Sequence, residues 1–266
     1  MINVCVAGAT GWTGRAVAEA AAAADDLELI SAVSRRAAGK DLGDAWGDAR
    51  VGTPVFARVA DALDGVDVLV DYTAHDVTKG HAMEAIARGV HVVIGTSGLS
   101  AEDFDDIGAA ASASGVGVVA AGNFSLSAAM AQAAALLAAR HLPQWEIIDY
   151  ASATKPDVPS GTARELAERL GEVRRPALGR RIEDLSGPRE ARGASVAGSQ
   201  VHSLRLPGFT VSTEVVFALP DERLVIRHDA GSSAEPYVAG TLVAVRAVGR
   251  RPGLVRGLDT LLLQAD

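Results

Sequence analysis

Residues 2–14 read Ile2-Asn3-Val4-Cys5-Val6-Ala7-Gly8-Ala9-Thr10-Gly11-Trp12-Thr13-Gly14. An apolar, β-branched run from Ile2 to Val6 meets three glycines spaced three apart, and Arg15 to Ala24 then has helical composition. A glycine turn that closes a strand and opens a helix is the context in which such a spacing binds a dinucleotide. Gly8 allows the tight turn. Gly11 lets backbone amides approach a pyrophosphate at the positive end of the helix, and Gly14 lets helix pack closely on strand. Gly8, Ala9, Thr10, Gly11, Trp12 and Thr13 are therefore cofactor-binding candidates, with a plain strand–helix turn as the alternative.

Working outward, short apolar strands recur at Leu27 to Val33, Val66 to Asp71, Val90 to Ile94 and Val116 to Ala120. Helical stretches separate them, HAMEAIARG at 81–89 and AEDFDDIGAAASAS at 101–114. Continuous apolar strands alternating with helices predict a doubly wound α/β lobe, a parallel sheet covered on both faces. After Asn123 the pattern changes. A helix over Ser127 to Arg140, a strand WEIIDYASA, the polar loop TKPDVPSG and a helix ARELAERLGEV follow. Residues 174–200 read as a long surface connection. The runs VHSLRL, FTVSTEVVFAL and RLVIRHDA, joined by hairpin-like LPG and LPDE turns, predict a mixed, largely antiparallel sheet. A C-terminal helix, YVAGTLVAVRAVG, is expected to return to the first lobe. The division expected is residues 1–122 with 236–266 for the dinucleotide, and 123–235 for substrate and oligomerisation.

The end of the second strand reads AVSRR, with Ser34, Arg35 and Arg36 and no carboxylate. An acidic residue there would hold a ribose 2′-hydroxyl, whereas arginines accommodate a 2′-phosphate, so NADPH is favoured and NADH remains possible. Asp71-Tyr72-Thr73 and Gly95-Thr96-Ser97-Gly98 end further strands at the same expected crevice.

Composition narrows the class. The 266 residues carry 25 Lys and Arg against 33 Asp and Glu, a net charge of -8, which excludes a general attraction to nucleic acid or an anionic membrane. Aromatic residues are only 4%, too few for base-stacking platforms, and the hydrophobic fraction of 48% is ample for a core. One cysteine, Cys5, excludes an intrachain disulfide and a cysteine metal site, and its apolar surroundings make it a small buried hydrophobe. The histidines at 75, 81, 91 and 141 show no metal spacing. Without a signal-peptide pattern or a long apolar run, a cytoplasmic chain is expected.

The sharpest local feature is Lys155-Pro156-Asp157-Val158-Pro159-Ser160-Gly161-Thr162-Ala163. A lysine followed by a Ser-Gly-Thr turn and a helix offers a cation and backbone amides to a carboxylate. The structural alternative is a capping box from Thr162 to Glu165.

With these blocks in place the chain resembles the dihydrodipicolinate reductase family over nearly its whole length. GATGWTG, DYT, GTSG, the AGNFS segment at 121–125, KPDVPSGTA, VHSLRLPG and RLVIRHDA carry the likeness. The resemblance implies a Rossmann lobe, a mixed lobe that builds a homotetramer, and reduction of 4-hydroxy-tetrahydrodipicolinate in lysine and diaminopimelate biosynthesis. It implies that Arg35 meets the adenosine ribose or its phosphate. Gly95, Thr96 and Ser97, with Ala121, Gly122, Asn123 and Phe124, would line the nicotinamide side. Ser152, Lys155, Ser160, Gly161 and Thr162 would hold a substrate carboxylate, with Lys155 the catalytic proton-donor candidate. In the family a hydride adds to a conjugated cyclic imine, and a His-His pair precedes the lysine. Here those two positions are Ala151 and Ser152, and the family's Ser-Arg pair after the last strand is replaced within HDAGSSAEPY. Tyr150, His202 and His228 are further donors to weigh. Two other readings stand beside the first: a reductase of the same fold acting on a different imine, enamine or enone acid, and a non-catalytic NADPH-binding sensor.

Overall fold

The computed structural model describes residues 1–49 and 51–263. In chain order the N-terminal elements are β1 (Ile2–Ala7), α1 (Trp12–Ala23), β2 (Leu27–Val33), α2 (Leu42–Trp46), β3 (Val55–Phe56), β4 (Val68–Asp71), α3 (His75–Ala87), β5 (His91–Ile94), α4 (Ala101–Ser114) and β6 (Gly117–Ala120). There follow α5 (Leu126–Ala139), β7 (Trp145–Ala151), α6 (Gly161–Val173), β8 (Ala194–Val196), β9 (Ser199–Arg205), β10 (Val211–Leu219) and β11 (Glu222–Asp229). The chain ends with α7 (Glu235–Ala247), β12 (Gly253–Arg256) and α8 (Leu258–Leu263). The residues cluster into two units, Met1–Leu126 with the stretch from Ala234 onward, and Ser127–Ser233.

In the first unit a seven-stranded parallel sheet runs in the order β12-β6-β5-β4-β1-β2-β3. Its central strands are buried on both faces. Val4, Cys5, Val6, Leu69, Val70, Val92 and Val93 are fully enclosed, which is why they read as unbroken apolar runs. Burial pushes the Cys5 thiol up to about 12, so it behaves as an apolar side chain. From β1 the chain goes to β2 on one side and later to β4 on the other, so the topological switch point lies between β1 and β4. α7 returns to pack on α1.

Two elements, α3 and β12, depart furthest from the sequence reading. α3 begins at His75, six residues before the expected stretch at 81–89. Val77, Thr78 and Gly80 weaken helical propensity there, but the Thr78 hydroxyl is held by the Ala74 carbonyl at 2.9 Å and pins the first turn. The sheet's last strand, β12, was not expected at all. It pairs with β6 through Gly253–Arg256.

The second unit has a five-stranded sheet in the order β11-β10-β7-β9-β8, antiparallel except for β7 beside β9. Along β7, Trp145, Ile147, Asp149 and Ala151 are buried while Glu146, Ile148 and Tyr150 alternate to the other face. Trp145, Ile147, Leu166, Leu170 and Phe217 form its core with α5 and α6. The LPDE turn is a hairpin between β10 and β11. The LPG turn is not, because β7 lies between β9 and β10 and the connection must cross its end. Leu206 N donates to the Ala151 carbonyl at 3.1 Å on the way. Residues 174–200 are also more than a connection, since β8 and the start of β9 fall inside them. Among the described residues no helix is long and apolar enough to cross a membrane.

Candidate active site

The glycine turn has the geometry its spacing demands. Gly8 sits at φ +85, where a Cβ would run into the Tyr72 carbonyl, and a Cβ on Gly14 would run into the carbonyl of Gly8. Gly11 N donates to Gly8 O at 2.8 Å, and α1 then opens with no side-chain cap. Its first-turn amides are left for an anion, which fits a pyrophosphate. Trp46, which the sequence reading passed over, donates its Nε1 to the Ala9 carbonyl at 2.9 Å. The Arg15 guanidinium lies over the same indole at 5.3 Å and pairs with Asp48 at 2.7 Å. Thr10 Oγ1 meets Ser34 Oγ at 2.9 Å, joining the turn to the end of β2. Trp12 is exposed with its ring edge on Tyr237. Arg35 and Arg36 are exposed and form no ion pair among the described residues.

The other expected segments gather at the same carboxyl edge of the sheet. Asp71, closing β4, is 1% exposed. Its Oδ1 accepts from Thr73 N at 2.9 Å, Thr73 Oγ1 at 2.6 Å and Thr96 Oγ1 at 2.9 Å, and its Oδ2 meets His81 Nδ1 at 2.7 Å. Burial alone would raise the Asp71 pKa, but the bonds from His81 and Thr73 outweigh it and hold the carboxyl below its ordinary range. One carboxylate thus ties DYT to GTSG. Thr241 Oγ1 gives its proton to the Tyr237 carbonyl at 2.7 Å, so Tyr72 Oη must donate in the 2.6 Å contact between the two hydroxyls. The Tyr72 ring fills the place a Cβ on Gly95 would need and meets Phe124 edge-on. Ser97 is exposed, Ala121 and Phe124 are buried, and Asn123 Oδ1 accepts from Ser125 N at 2.9 Å between them.

In the second unit the cap of α6 is Ser160, whose Oγ accepts from Ala163 N at 3.3 Å. The alternative Thr162–Glu165 box does not form: Thr162 lies inside the helix and Glu165 accepts from Gln132 Nε2 at 2.9 Å. Ser160 is itself buried, with its amide donating to Asp149 Oδ2 at 2.9 Å. Asp149 is fully buried and also accepts from Ser203 Oγ at 3.0 Å and Arg205 Nη2 at 2.9 Å. The same Arg205 nitrogen donates to the Asp157 carbonyl at 2.7 Å. Sequence reading missed this pair, although alternation from Ile147 already places Asp149 on the buried face. Lys155 Nζ is paired with Asp157 Oδ1 at 2.8 Å. Ala151 is buried and Ser152 is half-buried, with its Oγ 3.2 Å from Thr154 Oγ1. Tyr150 points to the opposite face, stacked on Phe209 under Arg227. His202 is on that face too, bonded to Glu146 at 2.7 Å.

Residues 2–124 match the family model for the N-terminus of dihydrodipicolinate reductase, and residues 122–262 match that for its C-terminus. The chain belongs to the dihydrodipicolinate reductase family. It is 38% identical over 264 residues to the 4-hydroxy-tetrahydrodipicolinate reductase of Nocardia farcinica, covering 98% of each chain. It is 37% identical over 265 residues to that of Moorella thermoacetica, again covering 98% of each. A solved dipicolinate-bound dihydrodipicolinate reductase from Paenisporosarcina sp. TG-14 superposes with a TM-score of 0.76 at 28% identity, covering 97% of this chain and 98% of that one. The protein is accordingly an oxidoreductase of this family, with the Rossmann unit of a nicotinamide-dependent enzyme. Among the described residues no group of three His, Cys, Asp or Glu is placed to hold a metal ion.

Proposed function

We propose that this protein uses NADPH to reduce 4-hydroxy-tetrahydrodipicolinate to tetrahydrodipicolinate, in the cytoplasm, as a step of lysine and diaminopimelate biosynthesis. The observation that carries this reading is the Lys155–Thr162 loop, a cation and a Ser-capped helix start anchored on a buried carboxylate, in a chain that matches curated reductases from end to end. A bound reduced nicotinamide supplies the hydride. The Gly8–Thr13 turn receives its pyrophosphate on the first-turn amides of α1, and Arg35 with Arg36 takes the 2′-phosphate. Gly95 to Ser97, held by the Thr96 bond to Asp71, and Ala121 to Phe124 line the nicotinamide side. Lys155 and the amides of Gly161 and Thr162 grip a substrate carboxylate, while Ser160 shapes the turn and Ser152 adds a hydroxyl. The Lys155 ammonium also offsets negative charge that develops as the hydride arrives.

A homotetramer is part of the proposal. The outer face of the five-stranded sheet carries Ile148, Val216 and the half-exposed Val225 in neighbouring strands, beside a cleft of about 690 Å³ that another copy could fill. The second reading, a different imine or enone acid, is favoured by one observation: buried Ala151 and hydroxylic Ser152 stand where the family's histidines would transfer a proton. Titrating the protein with NADPH and NADH, then with dipicolinate as a carboxylate probe, tests the binding roles. NADPH binding tighter than NADH, followed by dipicolinate binding, is expected; failure to bind dipicolinate would favour the second reading.

A further inference from the structure

Reduction of a conjugated imine needs a proton as well as a hydride, and neither Ala151 nor the outward-facing Tyr150 and His202 is placed to give it. Lys155 would forfeit its ion pair with Asp157 by giving up a proton. One imidazole of this unit shares a cavity with the Ser-Gly-Thr turn. We infer that His228 is the proton source for the reaction, relayed through the Thr162 hydroxyl. This rests on the reduction proposed above.

The cavity lies under the first turn of α6 and holds about 20 Å³, room for one water. Its polar lining is Gln132 of α5, Thr162 of α6, Thr213 of β10 and His228 of β11, with Leu166 and Val215 among the apolar walls. Thr213 and His228 stand directly opposite each other across the β10–β11 ladder, which brings their Cβ atoms to about 4.5–5.5 Å. Thr213 is 7% exposed, and its Oγ1 is buried without a hydrogen bond among the described residues. A buried hydroxyl left in that state costs free energy unless a water or a moving proton uses it. Thr162 lines the same cavity and belongs to the Ser-Gly-Thr turn, so its hydroxyl links the cavity to the proposed carboxylate site.

In the reaction the 4-hydroxyl first leaves as water with a proton from the adjacent ring carbon; the hydride then adds to the conjugated system so formed, the π pairs shift, and the pair from C=N comes to rest on nitrogen. The Thr162 hydroxyl gives that nitrogen a proton while taking one from the His228 imidazolium. The neutral imidazole regains its proton from water, the N–H enamine tautomerises to tetrahydrodipicolinate by passing its proton from nitrogen to ring carbon through water, and the two electrons are accounted for by oxidation of the reduced nicotinamide. His228 acts through Thr162 and is a positioning residue in that sense. Burial holds the His228 pKa below its ordinary value, against the opposing pull of Asp229, so its imidazolium gives up a proton readily. The charged groups around it are few. Asp229 is held by Arg227 at 2.8 Å, Glu165 of α6 is bonded to Gln132 and paired with Arg169, and α5 and β10 present only uncharged side chains to the cavity.

The test uses the full chain with His228→Gln. The expected result is a kcat lower by about 10²–10⁴-fold with NADPH affinity unchanged, and loss of the wild-type fall in kcat as pH rises. A variant kcat within threefold of wild type, with the same pH profile, would overturn the inference. A second measurement does not depend on turnover or on the variant folding. The histidine-labelled wild type is titrated with dipicolinate and the His228 imidazole resonance followed by NMR. A shift on saturation is expected, and an unmoved resonance contradicts the relay even where wild-type turnover decides the substrate question separately.

Discussion

Arg205 and Asp149 form the buried ion pair on which the loop ahead of α6 hangs: one guanidinium nitrogen reaches the Asp149 carboxylate at 2.9 Å and the Asp157 carbonyl at 2.7 Å. Since Asp149 also takes the Ser160 amide, both ends of the Lys155 loop are fixed to one partner set. Arg205→Met would leave a fully buried carboxylate without its cation. A loss of about 3–5 kcal/mol in unfolding free energy is expected, read from denaturant midpoints. A loss below 1 kcal/mol would mean the pair is not the loop's anchor.

Asp71 makes acid stability measurable. Its carboxyl pKa is held below the unfolded value, so the stability it contributes is present above about pH 4 and drains away as pH falls through the folded value. Asp71→Asn should lower stability at neutral pH and flatten the decline below about pH 4 relative to wild type. Parallel curves for the two proteins would contradict the bonding described at that carboxylate.

In the proposed cofactor site, Arg35→Asp would exchange a partner for the 2′-phosphate against one for the ribose hydroxyls. The ratio of kcat/KM for NADPH over NADH should fall by about 10–100-fold, the worth of one charged hydrogen bond. An unchanged ratio would remove Arg35 from the cofactor site.

Lys155→Ala removes the cation of the proposed carboxylate grip while leaving the glycine turn untouched. Turnover should drop by about 100-fold or more, with the dissociation constant for NADPH intact. Near-normal rates would show that the loop holds substrate by its amides alone.

Much of this architecture could be read from the chain because buried parallel strands leave unbroken apolar runs, as at Val90 to Ile94, and because α4 announces itself with Ser100 and Asp103 at one end and Gly115 at the other. What could not be read depends on neighbours. β12 is four residues between Pro252 and Gly257 and exists only because β6 offers it a free edge. The LPG turn has hairpin composition, yet the strand that separates β9 from β10 comes from sixty residues earlier in the chain, in β7. At the site, T-x-x-E in Thr162–Glu165 fits a capping box in sequence, and the real cap is decided by the Ser160 Oγ bond from the Ala163 amide, with Ser160 held in turn by Asp149. Asp71 had a local signal, an Asx-type bond to the amide two residues on, but its grip on Thr96 is a contact between strands.

The most direct measurement is NADPH oxidation by the purified chain on 4-hydroxy-tetrahydrodipicolinate generated in place from pyruvate and aspartate semialdehyde by the corresponding synthase. A turnover number of about 1–10³ s⁻¹, with tetrahydrodipicolinate as product, is predicted. Tight NADPH binding with no turnover would contradict the proposed substrate and direct the search to other imine and enone acids.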